Sequence, residues 1–207
     1  MVVAGTLFAG AGYAHAGVVD HETFKGVFAF ANFSIDTAQT CADSTAGTLN
    51  TFVNVFGNQS RTSSRLFPSE SLNSVSVSIS TFDTCTGLST LLSGQVSGGF
   101  TSSTIRTATL TATVPLIDDV SGNSAGTATV ALSLKSTLVS SIFNDHTKET
   151  QLNTPTGILI VQEHETGKSA DATATGSLVV NGVQFIGGFT SAGIVQNSSG
   201  SVDIKKN

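Results

Sequence analysis

The sequence predicts an all-β protein, an antiparallel β-sandwich of about ten strands with Greek-key or jelly-roll-like connections. Three observations lead there. Small hydroxyl or alanine residues alternate with branched apolar ones in Val75-Ser76-Val77-Ser78-Ile79-Ser80, and again from Thr107 to Val114. A period of two places every second side chain on the same face of an extended strand. No segment keeps a 3.6-residue apolar period over three turns, and helix-favouring Lys and Glu are scarce. Turn signals recur at roughly eight- to twelve-residue intervals, the spacing of an all-β domain. A β-solenoid is the alternative, but it requires a fixed short repeat. The only echo is distant: Gly98-Gly99-Phe100-Thr101-Ser102 with Ile105 recurs as Gly187-Gly188-Phe189-Thr190-Ser191 with Ile194, at an offset of 89. The same offset aligns Thr48-Leu49 with Thr137-Leu138.

The strands are expected in this order. Phe24 to Ile35 has apolar residues on both faces and reads as an internal strand. Thr37 to Gly47 reads as loop, Leu49 to Phe56 as a second strand, and Gly57 to Ser64 as a polar turn. Ser74 to Phe82 is the clearest strand, with Val75, Val77 and Ile79 on one face. Asp83 to Gly87 closes it as a turn, where Asp and Gly have backbone reasons to occur. Leu88 to Phe100 is a glycine-broken strand. Ile105 to Leu116 follows, with Pro115 near its end opposing continued pairing. Asp118 to Gly126 is loop, and Thr127 to Lys135 and Leu138 to Phe143 are separate strands. Asn144 to Thr150 reads as a charged turn. Gly157 to His164 and Ala170 to Val180 are strands, and Asn181-Gly182 between apolar runs signals a type I′ hairpin into Val183 to Val195. Val202 to Ile204 adds a last short strand.

Residues 1–16 are apolar and end in Ala14-His15-Ala16, the small-x-small pattern of an export-signal cleavage site. Cleavage before Gly17 is expected, with the basic start of the signal lying upstream, and residues 17–207 form a single sandwich domain. The run is too short to span a bilayer as a helix. Removal of 1–16 takes away Tyr13, the only tyrosine of a chain without tryptophan. That loss disfavours the stacking platforms of sugar and single-strand nucleic-acid sites. It equally disfavours an outer-membrane barrel, whose interfaces carry Trp and Tyr girdles. Cys41 and Cys85 are expected to form a disulfide, as an exported chain would use them. Closing that 44-residue separation stabilises a fold by about 4 kcal/mol in the chain-entropy view.

Charged residues are 11% of the chain and the formal net charge is −5, with nine Lys plus Arg. No basic stripe is available to neutralise a phosphate backbone, so nucleic acid is not an expected partner. The densest ionisable stretch is Glu163-His164-Glu165, with Asp145-His146 near it in sequence. On a strand the two glutamates share one face and His164 takes the other, so a metal or general-base role needs His146 to come against His164. Otherwise these residues are a solvated strand end and turn. Asp118, Asp119 and Asn123 supply oxygen donors in a glycine-containing loop, a composition calcium accepts, without the EF-hand spacing. No Gly-x-Ser-x-Gly elbow frames any serine. Phosphate-cradling loops need a strand-to-helix transition that the chain lacks. Asn32-Phe33-Ser34, Asn58-Gln59-Ser60 and Asn197-Ser198-Ser199 match the N-glycosylation pattern.

No cofactor, catalytic or metal site is therefore expected. The expected role is that of a secreted or cell-surface, non-catalytic sandwich with a structural, adhesive or matrix function. The alternative is an extracellular small-ligand, glycan or calcium-dependent binding module, and a third class is a hydrolase with a dispersed site. Hydroxyl-lined strands poor in Lys and Pro leave sheet edges open to strand addition, so self-association through an edge is expected, with Val18 to Ile35 as the donated strand.

Overall fold

A computed structural model describes residues 20–64, 68–154, 157–185 and 189–206. The expected export signal at 1–16 lies outside the described residues. The strands are β1 (Asp20–Thr40), β2 (Ala46–Ser64), β3 (Glu70–Asp83), β4 (Ser89–Ser97), β5 (Phe100–Thr104), β6 (Thr107–Asp118), β7 (Ser124–Thr154), β8 (Gly157–Val180), β9 (Val183–Phe185) and β10 (Phe189–Lys206). Every pairing is antiparallel.

The all-β antiparallel expectation holds, but the layering differs. The strand order is β10-β1-β2-β3-β4-β6-β7-β8, and β8 also pairs with β10, so eight strands close into one ring. A single closed sheet takes the place of two stacked sheets. Each strand pairs with a near neighbour in sequence, without the crossovers of a Greek key or jelly roll. Nor is it a parallel β-solenoid, since no strand pair among the described residues runs parallel. Closure satisfies backbone donors and acceptors that a sandwich would leave at its edges. In particular β1 pairs with β2 on one side and β10 on the other. From Asp20 on, the strand expected to be donated, Val18 to Ile35, has partners within the chain.

The period of two now has a direct meaning. Along β6, Ala108, Leu110, Val114 and Leu116 are buried while Thr107, Thr109, Thr111 and Thr113 are exposed. Buried residues from the other strands, among them Ala29, Phe33, Val53, Val55, Val77, Leu132, Leu178 and Ile194, complete one apolar interior. A Cβ added at Gly57 of β2 would lie 2.3 Å from the Phe100 ring and 2.9 Å from Leu110. Side chains from β5 and β6 therefore reach across to β2, and the middle of the barrel is packed rather than hollow.

The expected glycine-broken strand appears as β4 and β5, both on one register with β6 (Leu92↔Asp118, Phe100↔Leu110). Two features interrupt it. Pro115 has no N–H to offer β4, and Gly98 and Gly99 both have φ of 81°, a region open to glycine at little cost. The duplicated Gly-Gly-Phe-Thr-Ser segment also has a consistent place: Phe100 opens β5 and Phe189 opens β10.

Five strands run past this core at one end. Among the described side chains the core residues of β7 stop at Leu134 and those of β8 begin at Ala170, yet the two strands pair as far as Thr154↔Gly157. β10, β1 and β2 continue with them (Leu159↔Lys206, Asp20↔Ile204, Glu22↔Ser64). Two expected turns are thereby corrected: Gly57 to Ser64 and Asn144 to Thr150 are strand. Beyond Gly57 these two stretches are polar or charged throughout, so no apolar alternation marks them and their composition imitates loop. The expected separate strands within β7 and within β8 likewise merge, β7 through a bulge between Ser136 and Ser140.

Candidate functional site

Three groups of residues are arranged beyond what packing demands. The first sits at the disulfide, Cys41–Cys85, which joins the β1–β2 loop to the β3–β4 turn with Cα atoms 5.2 Å apart. Gln39 donates through Nε2 to Asp83 Oδ1 at 2.6 Å and approaches Cys85 Sγ at 3.2 Å. Asp83 Oδ1 also accepts from the Cys85 backbone N–H at 2.8 Å. Chiefly that backbone N–H, opposed by slight burial and aided by Thr86 and Gln39, holds the Asp83 carboxyl below the ordinary aspartate range. Gly47 is required beside them, since a Cβ there would meet Cys85 Sγ at 2.3 Å and Cys41 Sγ at 2.7 Å. The arrangement fixes two loops and holds no free nucleophile.

The second is the loop carrying Asp118, Asp119 and Asn123. Asp118 Oδ1 accepts from the backbone N–H of Val120 at 2.9 Å and Ser121 at 2.8 Å. Those N–H groups, Ser121 first, hold its carboxyl below the usual value. Asp119 Oδ1 instead accepts from Ser93 Oγ at 2.5 Å, and Asn123 gives its carbonyl to the Asp118 N–H. One oxygen of each carboxylate and the Asn123 carbonyl thus serve a turn and a neighbouring strand. Beside this loop, Phe52, Phe82, Leu91 and Val120 line a shallow groove of about 510 Å³, rimmed by Ser34, Asn50, Ser80 and Ser89. Sequence reasoning missed it because Phe52 and Phe82 occupy outward positions, where alternation alone expects polar residues.

The third lies on the extended end. His146 stands opposite His164, Asp145 opposite Glu165 and Thr147 opposite Glu163. The register thus pairs the backbones of the two histidines, and of their two side chains only that of His164 is among the described ones. Ala170, buried against the β10 and β1 interior, fixes which face is which. Counting back by twos along β8 puts Lys168, Thr166 and His164 on the face continuous with the barrel interior. Lys168 is exposed there and Gln196 half-buried, so that face turns from apolar to polar at the rim. Among the described side chains, no three His, Cys, Asp or Glu groups gather to hold a metal.

Of the glycosylation patterns, Asn32 is engaged in a row across three strands: it accepts from Asn54 Nδ2 at 2.8 Å and donates to Ser191 Oγ at 2.9 Å. Such engagement competes with its use as an acceptor.

No protein-family model matches this chain, and no curated protein matches it. Among solved structures, it is similar to a crystal structure from Nitrosomonas europaea of a protein provisionally named AttH, at 9% identity and a TM-score of 0.19. The match covers 91% of this chain and 52% of that one, so the chain spans about half that protein's length. A superposition so loose carries no argument, and the barrel rests on its own strand pairing.

Proposed function

We propose that the chain is a non-catalytic β-barrel, exported from the cell, with a structural, adhesive or matrix role at the surface or outside. The observation that supports this reading best is the distribution of polarity. Apolar side chains fill the interior, and neutral hydroxyls face outward along β6 and β7. A barrel embedded in lipid needs the opposite, apolar residues outward, so the reading places this one in water. The disulfide suits an oxidising compartment. A net charge of −5 on a hydroxyl-rich surface favours neither nucleic acid nor anionic membrane as a partner.

Expression of the full chain in an export-competent host tests this. A surface or extracellular product beginning at Gly17, with Cys41–Cys85 oxidised, is expected. Cytosolic retention with residues 1–16 intact overturns export, and turnover in an ester, peptide and glycoside panel overturns the non-catalytic reading.

A second reading, an extracellular small-ligand or glycan-binding module, is favoured by the open end of the barrel, where the interior-facing positions become polar at Lys168 and Gln196. Its calcium-dependent form is disfavoured by the commitment of Asp118 and Asp119 to protein partners. Calcium is accordingly expected to leave the melting temperature unchanged. A rise of several degrees that Asp118→Ala abolishes would restore that form.

A further inference from the structure

Phe52, Phe82, Leu88, Leu91, Ile117 and Val120 are all exposed, and all lie toward the end of the barrel that carries the disulfide. Soluble surfaces usually scatter such residues singly. Here the register gathers them. Ser80 of β3 has Phe52 across from it on β2 and Leu91 across from it on β4, and Phe82 lies one step along on the same face. With Val120 these side chains floor the groove of about 510 Å³ described above, a size within the range of binding clefts. Its described lining carries no Lys, Arg, Asp or Glu, so covering the floor desolvates no charge.

Charge indicates what covers it. The chain reaches this end through residues 26–60, 66–105, 107–134 and 169–204, and none of these stretches contains a Lys or Arg. Asp36, Asp43, Asp83, Asp118 and Asp119 do lie at this end, near the close of β1, β3 and β6 or in the turns that follow. The chain's nine other Asp and Glu are matched in number by its nine Lys and Arg, so these five carboxylates account for the whole formal charge of −5. Asp36 follows Ser34 of the lining by two residues on the same face, and Asp119 precedes Val120. Both are exposed. From β1 across β2, β3 and β4 to the β6–β7 turn, they flank the groove on opposite sides, roughly 19 Å apart at about four strand spacings. A second copy of the chain would set five carboxylates against five, and an anionic surface would meet the same repulsion, whereas a cationic partner is drawn in. We propose that this groove docks a basic segment of another protein, with apolar side chains seated on Phe52, Phe82, Leu91 and Val120 and Lys or Arg beside Asp36 and Asp119. An extended segment of about six residues spans that distance. The inference does not depend on the role proposed above.

Selection of phage-displayed random peptides of about twelve residues on the full chain tests it. The enriched peptides are expected to combine Lys or Arg with Phe, Leu, Ile or Val. One of them, fluorescently labelled, is expected to bind by anisotropy, more weakly as salt rises. Phe52→Ser with Phe82→Ser is expected to weaken that binding by at least about tenfold, and Asp36→Asn with Asp119→Asn to weaken it several-fold and flatten its salt dependence. Leu72→Ser, at a comparably exposed apolar residue outside the groove, is expected to leave it unchanged. Failure to enrich basic peptides, enrichment of acidic or uncharged ones, or binding undiminished by the Phe52→Ser, Phe82→Ser change overturns the proposal. So does a dimer in light scattering that the same change dissolves, since the groove then belongs to a second copy. If the variants fail to fold, NMR of the wild-type chain decides: amide signals of residues 50–52, 80–82 and 89–91 must move on adding the peptide, and unchanged signals there overturn the site.

Discussion

Gly47 shows how much a single missing methyl can matter in this chain. With both disulfide sulfurs inside normal contact distance of the position a Cβ would occupy, Gly47→Ala is expected to destabilise by about 1–3 kcal/mol through overpacking. In a Cys41→Ala, Cys85→Ala background most of that penalty should vanish, which urea titration of the four proteins measures. Gly57 and Phe100 form a comparable pair. Phe100→Ala is expected to cost about 3–5 kcal/mol, and adding Gly57→Ala should recover part of it by refilling the space the ring leaves. Asp43, Asp83 and Asp118 all have carboxyls held below their ordinary range by hydrogen-bond donors, Thr45, Cys85 and Ser121 first respectively. A folded-state pKa below the unfolded one stabilises fully above the unfolded value and is lost as pH falls through the folded value. Stability is therefore expected to decline below about pH 4, and Asp83→Asn to make the decline shallower in urea midpoints followed from pH 5 to pH 2.

Among the elements, the β8–β9 hairpin is the one that local chemistry specified most fully. Asn181 and Gly182 have φ of 50° and 82°, as a type I′ turn requires, and the dipeptide alone announced it. What it did not announce is a second duty: Asn181 Oδ1 accepts from the Thr127 N–H at 2.9 Å and Nδ2 donates to the Ala125 carbonyl at 3.0 Å. Asn181→Gly keeps the turn and loses that tie to β7, so a loss of about 1 kcal/mol per hydrogen bond is expected in thermal or urea unfolding. The Val75–Ile79 alternation likewise found β3 easily, because its partners on both sides hold one face dry. Gly57 to Ser64 and Asn144 to Thr150 were misread for the converse reason. Their partners lie across hairpins (Thr62↔Glu70, Thr150↔Ile160), and no apolar rhythm accompanies the pairing.

At the level of the whole molecule, what remained hidden was closure. Whether β1 meets β10 depends on register, strand tilt and bulges, such as the extra residue at Asn197–Ser199, and none of these has a compositional signature. The same blindness left open whether His146 stands opposite His164, which the register of β7 against β8 decides. Closure also alters what association between copies must involve. Deleting Val18 to Ile35 strips the partner from β2 and β10 together, so light scattering is expected to show larger particles than the intact chain gives. An unchanged monomer would mean the ring reseals without β1.

Because Asp20 lies across from Ile204, the first and last strands leave the ring side by side. A short peptide bridging them would make the backbone a continuous loop, and fresh ends could then be opened at the tight β5–β6 connection around Ile105 and Arg106. Such a rewired polypeptide should still build the cylinder, and any tether grafted between Asp20 and Ile204 would emerge at the end of the barrel where β7 turns into β8.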